Sequence, residues 1–247
     1  MKDLKKYLIC LVFSVSALTL GCSGCGVSPS TKAAPNVTPA GPKTVIFIGD
    51  SITYLWDAQP EFTAHTSWTN KGTGGQTSTQ IAMRFQHDVI DAMPDEVHIL
   101  MGTNDTYPDW TLCSNLASNA TPTAPPTAAA LTLPADTCSN MIYVVETAKR
   151  NNIKVVIGTI PPWGCEDDPT GDTASLDTTP GRYLRIDSLN DWIKELGVKE
   201  NVAVVDYHTA LAAPDGMYYV ESLQFDCVHP NSAGYAVITP LVEAQLE

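Results

Sequence analysis

The chain has 247 residues, 44% apolar and 17% charged, and a formal net charge of -13 from 14 basic and 27 acidic residues. The apolar content is that of a globular chain and not of a disordered one. An acidic field repels phosphate backbones and anionic headgroups, which argues against nucleic acid as a partner.

Met1-Lys2-Asp3-Leu4-Lys5-Lys6 precedes an apolar run from Tyr7 to Leu20, too short for a membrane-spanning helix and patterned as a secretory signal peptide. It ends in Thr19-Leu20-Gly21-Cys22, which resembles the lipobox of bacterial lipoproteins and implies lipidation of Cys22, with plain secretion after nearby cleavage as the alternative. Residues 23–43 are rich in Ser, Thr, Pro, Ala and Gly and cannot offset ordering entropy by burial. The expected organisation is a signal peptide over 1–21, a linker over 22–43 and one catalytic domain over 44–247. That domain of about 205 residues can bury a substantial core without disulfide staples.

Seven cysteines fit an oxidising compartment. Cys113 and Cys138 flank a Thr/Ala/Pro-rich insertion, Cys165 follows a predicted strand, and Cys227 lies in a loop with an Asp and a His. Two bridges, Cys113 to Cys138 and Cys165 to Cys227, would use these four, although four cysteines permit three pairings. Cys22 and Cys25 have metal-ligand spacing, but no second pair of that type lies nearby.

Thr44–Gly49 is a continuous apolar run of strand length ending in Gly, as expected of a central parallel strand covered on both faces. Glu96–Met101, Lys154–Thr159 and Asn201–Val205 read alike, and Ser67–Asn70 is a shorter candidate. Between them, Met141, Val144, Val145 and Ala148, and then Ile186, Leu189, Ile193 and Leu196, recur at helical spacing. Gln80–Ala92 is a third candidate helix, stopped by Pro94, and Ser232–Glu247 a fourth, where Pro240 predicts a kink or an early break. Asn115–Pro134 reads as a long surface insertion. Alternating strands and helices predict a three-layer α/β/α sandwich with a mainly parallel five-stranded sheet, whose sites form at the carboxyl ends of the strands.

Four segments at such ends carry chemistry. Gly49-Asp50-Ser51 places a hydroxyl just past the first strand, where it could act as a nucleophile or as a helix cap. Gly72-Thr73-Gly74-Gly75 lets backbone N–H groups approach a ligand, although it closes with no phosphate-loop Lys. Gly102-Thr103-Asn104-Asp105 supplies a neutral amide donor suited to a developing oxyanion. Asp226-Cys227-Val228-His229-Pro230 sets a carboxylate three residues from an imidazole, so that Asp226 could bond Nδ1–H and leave Nε2 as a base. His98, inside a predicted buried strand, reads as a packed histidine. His208 reads as a structural contact, and Trp163 as either pocket lining or core.

These four blocks, in this order, resemble those of the SGNH hydrolase (GDSL-like lipase/acylhydrolase) family, whose fold is flavodoxin-like. The resemblance spans almost the whole predicted domain. It implies that Ser51 is the nucleophile, His229 the base and then the acid, and Asp226 the residue that orients His229. It implies an oxyanion hole made of the Ser51 N–H, the Gly75 N–H and the Asn104 amide. Gln76-Thr77 stands where the family carries Asp-Thr, so the loop donor is Gly74 or Gly75. Serine ester hydrolysis of this kind needs no metal and no organic cofactor.

The expected activity is release of short acyl groups, acetyl above all, from carbohydrate such as acetylated polysaccharide. A lipase or lysophospholipase is the alternative, and a non-catalytic glycan-binding surface lipoprotein the alternative of another class. The expected setting is outside the cell or in the bacterial envelope, with membrane contact only through a lipid on Cys22.

Overall fold

The computed structural model describes residues 41–106, 112–113, 136–164 and 182–246. Five strands, β1 (Val45–Gly49), β2 (Trp68–Gly72), β3 (Glu96–Leu100), β4 (Lys154–Gly158) and β5 (Ala203–Val205), form one sheet in the order β2-β1-β3-β4-β5. Every pairing is parallel. The β-branched and aromatic run of β1 is buried along its whole length, as is β3, because both strands lie inside the sheet with helices on the two faces.

The helices are α1 (Ser51–Trp56), α2 (Pro60–Thr63), α3 (Ser78–Phe85), α4 (Thr137–Arg150), α5 (Arg182–Glu200), α6 (Tyr207–Leu211) and α7 (Ser232–Glu243). Met141, Val144, Val145 and Ala148 of α4 and Ile186, Leu189, Ile193 and Leu196 of α5 are buried, so the apolar stripes expected from their spacing face the sheet. Each such Met, Val, Ile or Leu side chain contributes about 1.5–3 kcal/mol of burial. Phe47 in β1 centres an aromatic cluster, with ring centroids 5.5 Å from Trp56, 5.0 Å from Phe62 and 4.8 Å from His98.

Two helices depart from expectation. The third candidate starts earlier, after Thr77, and is α-helical only to Phe85, beyond which Gln86–Ile90 widens into a π turn. Gln80 accepts the Thr77 N–H at 2.9 Å, which sets the earlier start. In α7 the chain does not break at Pro240 but stays helical to Glu243. A proline removes one N–H, and the buried Ile238, Thr239 and Val242 hold that turn against the core. The Asn115–Pro134 insertion lies outside the described residues.

The chain passes from β1 outward to β2, then crosses back to β3 on the other side of β1. The sheet therefore reverses direction between β1 and β3, the flavodoxin-like switch point at which a crevice opens beyond the strand ends. Gly49 pairs with both Gly72 and Leu100, so the segments after β1, β2 and β3 emerge side by side. A Cβ at Gly49 would collide with the Thr53 hydroxyl and the Leu100 carbonyl, which is why glycine ends β1. Residues before Val45 enter at the opposite edge, where Thr44 donates its N–H to Asp95 at 2.8 Å and Lys43 pairs with Glu96 at 3.0 Å.

Candidate active site

Ser51 is the first residue of α1 and not its cap. The cap is Asp50, whose Oδ1 accepts the Ile52 N–H at 2.9 Å. The Ser51 hydroxyl is thereby left to another partner, and His229 Nε2 lies 2.8 Å from it. On the far side of that imidazole, Nδ1 is 2.8 Å from Asp226 Oδ2 and 3.0 Å from Oδ1. An Nδ1–H donated to a carboxylate leaves Nε2 with its lone pair toward the hydroxyl, the tautomer a general base requires.

The loop carrying this pair is held tightly. Asp226 Oδ1 also accepts the Val228 N–H at 3.1 Å and the His229 N–H at 2.9 Å, fixing the carboxylate by its own turn. Cys227 sits at φ 68°, a conformation that costs a residue with a Cβ about 1–2 kcal/mol. The Cys227 N–H donates to Gln224 Oε1 at 2.8 Å, its carbonyl accepts from Gly164 N–H at 2.7 Å, and the Tyr219 hydroxyl donates to the Val228 carbonyl at 2.9 Å. These bonds hold the loop in that conformation.

After β3, Thr103–Thr106 forms a 3-10 turn that presents Asn104. One Nδ2 proton of Asn104 goes to the Gln76 carbonyl at 3.0 Å, and an amide has a second proton to give. Behind it Asp105 is buried and accepts the Ser78 N–H at 2.9 Å, the Ser78 hydroxyl, and the Thr137 hydroxyl at 3.0 Å. Burial raises its carboxyl above the usual range although these donors oppose the shift. The turn bearing Asn104 is thus anchored to the starts of α3 and α4. In the neighbouring loop Gly74 and Gly75 are exposed, and Gly75 has φ 72°, a conformation natural to glycine.

Asp50 is fully buried beside Ser51. Desolvation raises its carboxyl to about 6, against the lowering effect of the Ile52 N–H and of the nearby His229. No role for Asp50 beyond its place in the motif follows from sequence, yet a carboxylate before a short helix is a cap signal. Arg84 and Gln76 also escape sequence reasoning, since eight residues separate them and no local period joins them. Arg84 donates to Gln76 Oε1 at 2.7 Å and to the Gly49 carbonyl at 2.9 Å.

The remaining sequence candidates lie apart from the Ser51 hydroxyl contact. His98 is buried in β3 with Nε2 2.9 Å from the Tyr207 hydroxyl, and burial lowers its pKa to about 3. His208 Nε2 is 3.8 Å from Asp187, and its backbone N–H meets Thr159. Trp163 is buried with the Arg182 guanidinium stacked 3.3 Å above its ring. The Cα atoms of Cys113 and Cys138 are 5.1 Å apart, a pair within disulfide span. Cys227 is fully buried, while Cys22, Cys25 and Cys165 lie outside the described residues. Among the described residues, no three His, Cys, Asp or Glu side chains gather as a metal site.

A flavodoxin-like sheet whose switch point gathers a hydroxyl, an imidazole, a carboxylate and an amide is the architecture of an ester-bond hydrolase. Residues 47–237 match the sequence model of the GDSL-like lipase/acylhydrolase family, and the chain belongs to that family. An acetylxylan esterase from Geobacillus stearothermophilus is 26% identical over 220 residues, 78% of this chain and 89% of that protein. The crystal structure of a GDSL-like lipase from Bacteroides thetaiotaomicron superposes with a TM-score of 0.63 at 26% identity, over 83% of this chain and 87% of that one. A catalytic mutant of an acetylxylan esterase from Geobacillus stearothermophilus shares the fold with a TM-score of 0.59 at 20% identity, over 85% of this chain and 96% of that one. The fold and family expected from the sequence are those observed.

Proposed function

We propose that the protein removes short acyl groups, principally acetyl, from carbohydrate by a serine mechanism. Ser51 attacks the ester carbonyl carbon as its proton passes to His229 Nε2, with Asp226 holding the imidazolium through Nδ1–H. The carbonyl oxygen becomes an oxyanion that receives the N–H of Ser51, the N–H of Gly75 and the second amide proton of Asn104. On collapse His229 protonates the leaving sugar hydroxyl, leaving the acyl group on Ser51. Water then adds to that acyl carbon, gives its proton to His229, and the acid leaves as the proton returns to Ser51.

The observation that carries the chemistry is the 2.8 Å contact of His229 Nε2 with the Ser51 hydroxyl, in line with the Asp226 carboxylate. Support for the substrate comes from the 26%-identical acetylxylan esterase and from the net charge of -13, which disfavours anionic lipid surfaces. Gly75 is assigned as the loop donor because the next residue, Gln76, is the one whose carbonyl holds Asn104.

A panel of p-nitrophenyl esters from acetyl to palmitoyl, run beside acetylated xylan, tests the reading. Activity should be greatest on acetyl and acetate should be released from the xylan. Activity that climbs with chain length would replace this substrate with a lipid ester.

We further propose export and a lipid on Cys22, with residues 22–43 as tether. β1 begins at Val45, so a tether would lead into the start of β1, the end opposite the one that Ser51 follows. Cys22→Ala should move the protein from the membrane to the soluble fraction, and unchanged membrane association would refute the anchor.

A further inference from the structure

We propose that Arg84 is a positioning residue that sets the oxyanion donors in register by clamping the Gly72–Gln76 loop to the end of β1. The inference rests on the serine mechanism proposed above and adds to it a residue that touches no substrate atom.

Arg84 stands in the last turn of α3 with its side chain mostly covered. Asp88, one turn further on, takes Nη1 at 2.6 Å and holds the guanidinium in place. The two remaining contacts point back toward the site. Nε donates to Gln76 Oε1 at 2.7 Å, and Nη2 donates to the Gly49 carbonyl at 2.9 Å. A guanidinium is planar and its donors keep a fixed fork, so these bonds set the separation between the Gly49 carbonyl and the Gln76 side chain.

All three oxyanion donors hang on those two points. Ser51 follows Gly49 by two residues on a short turn into α1. Gly75 immediately precedes Gln76, so its N–H moves with that residue. Asn104 is aimed by the Gln76 carbonyl, 3.0 Å from its Nδ2. The Gly49 carbonyl also accepts the Thr73 N–H at 3.0 Å, tying the start of the same loop to β1.

Gln76 offers Arg84 a neutral acceptor. A neutral amide leaves Asp88 as the only carboxylate bonded to Arg84 among the described residues.

The test is steady-state kinetics on p-nitrophenyl acetate. Arg84→Met keeps the side-chain stem and removes every donor. It should lower kcat by about tenfold to a hundredfold, as a misplacement on the scale of 1 Å does, with KM nearly unchanged. Arg84→Lys should recover only part of the loss, because an ammonium cannot span both acceptors. Gln76→Leu cuts half the clamp from the loop side and serves if Arg84→Met fails to fold. Introduced into Asn104→Ala, either change should cost less than it does in the wild type, because one of the three donors it aims is already gone.

Unchanged kcat in both single variants, a loss confined to KM, or penalties that multiply in full with Asn104→Ala would overturn the clamp. Wild-type protein without ester hydrolysis, or an Asn104→Ala variant as fast as wild type, would instead overturn the mechanism on which the clamp rests.

Discussion

His229 Nε2 lies 2.8 Å from the Ser51 hydroxyl although 178 positions separate the two residues in the chain. Two loops at one end of the sheet meet there, one following the first strand and the other preceding the last helix. On the proposed mechanism they act as a unit, and a unit fails once. Ser51→Ala or His229→Ala should each lower kcat by about 10⁴- to 10⁶-fold, and the double variant should be no slower than either single one. Hydrolysis of p-nitrophenyl acetate, with organophosphonate labelling of Ser51 as an independent readout, checks this. Losses that add in the double variant would show that the two residues act separately.

One amide proton of Asn104 is engaged by Gln76, and on the proposed mechanism the other is offered to the developing charge. Asn104→Ala should reduce kcat by roughly 100- to 1000-fold with little change in KM, since the bond strengthens only as the oxyanion forms. Asn104→Asp should be at least as damaging, because its carboxylate would repel the same charge. A loss expressed in KM alone would place Asn104 in substrate binding instead.

Much of this arrangement is legible in the sequence because it follows from local pattern. Apolar runs mark β1 and β3, and Ser51 and Asn104 each stand a few positions beyond one of them. The Asp226 and His229 spacing fits within one turn, so a single loop brings them together. What escapes reading depends on contacts between distant positions. Whether Ser51 caps α1 or is freed by Asp50 turns on a choice between adjacent side chains, settled by the Asp50 bond to the Ile52 N–H. Arg84 meets Gly49 35 positions away, a pairing with no period. The continuation of α7 past Pro240 to Glu243 depends on packing against the core, whereas the expected kink or early break came from backbone chemistry alone.

Asp50 caps the helix that begins at Ser51 at a cost to the fold. Its pKa is about 6 in the folded protein against an ordinary 3.8, so on raising the pH the unfolded chain loses this proton first. Stability therefore falls as pH rises from about 4 to about 6, and the ionised group costs on the order of 3 kcal/mol at neutral pH. Asn caps helices as well as Asp and carries no charge. Asp50→Asn should thus raise the urea midpoint at pH 7.5 and lose that advantage near pH 4. A gain that is the same at both values would mean that packing and not ionisation is responsible.

His98 biases the fold in the opposite sense. Its folded pKa of about 3 lies below the ordinary 6.5 because burial disfavours the imidazolium. Below pH 6.5 the unfolded chain takes up a proton that the folded one refuses, so stability falls as pH drops. Between pH 6.5 and 5 the loss is on the order of 2 kcal/mol. Replacing His98 alone would strand the Tyr207 hydroxyl, which is its partner at 2.9 Å. His98→Phe combined with Tyr207→Phe removes both polar groups and keeps the aromatic volume. In that double variant the fall in urea midpoint from pH 7 to pH 5 should be smaller than in the wild type. A double variant that weakens on acidification as much as the wild type would remove His98 as the cause.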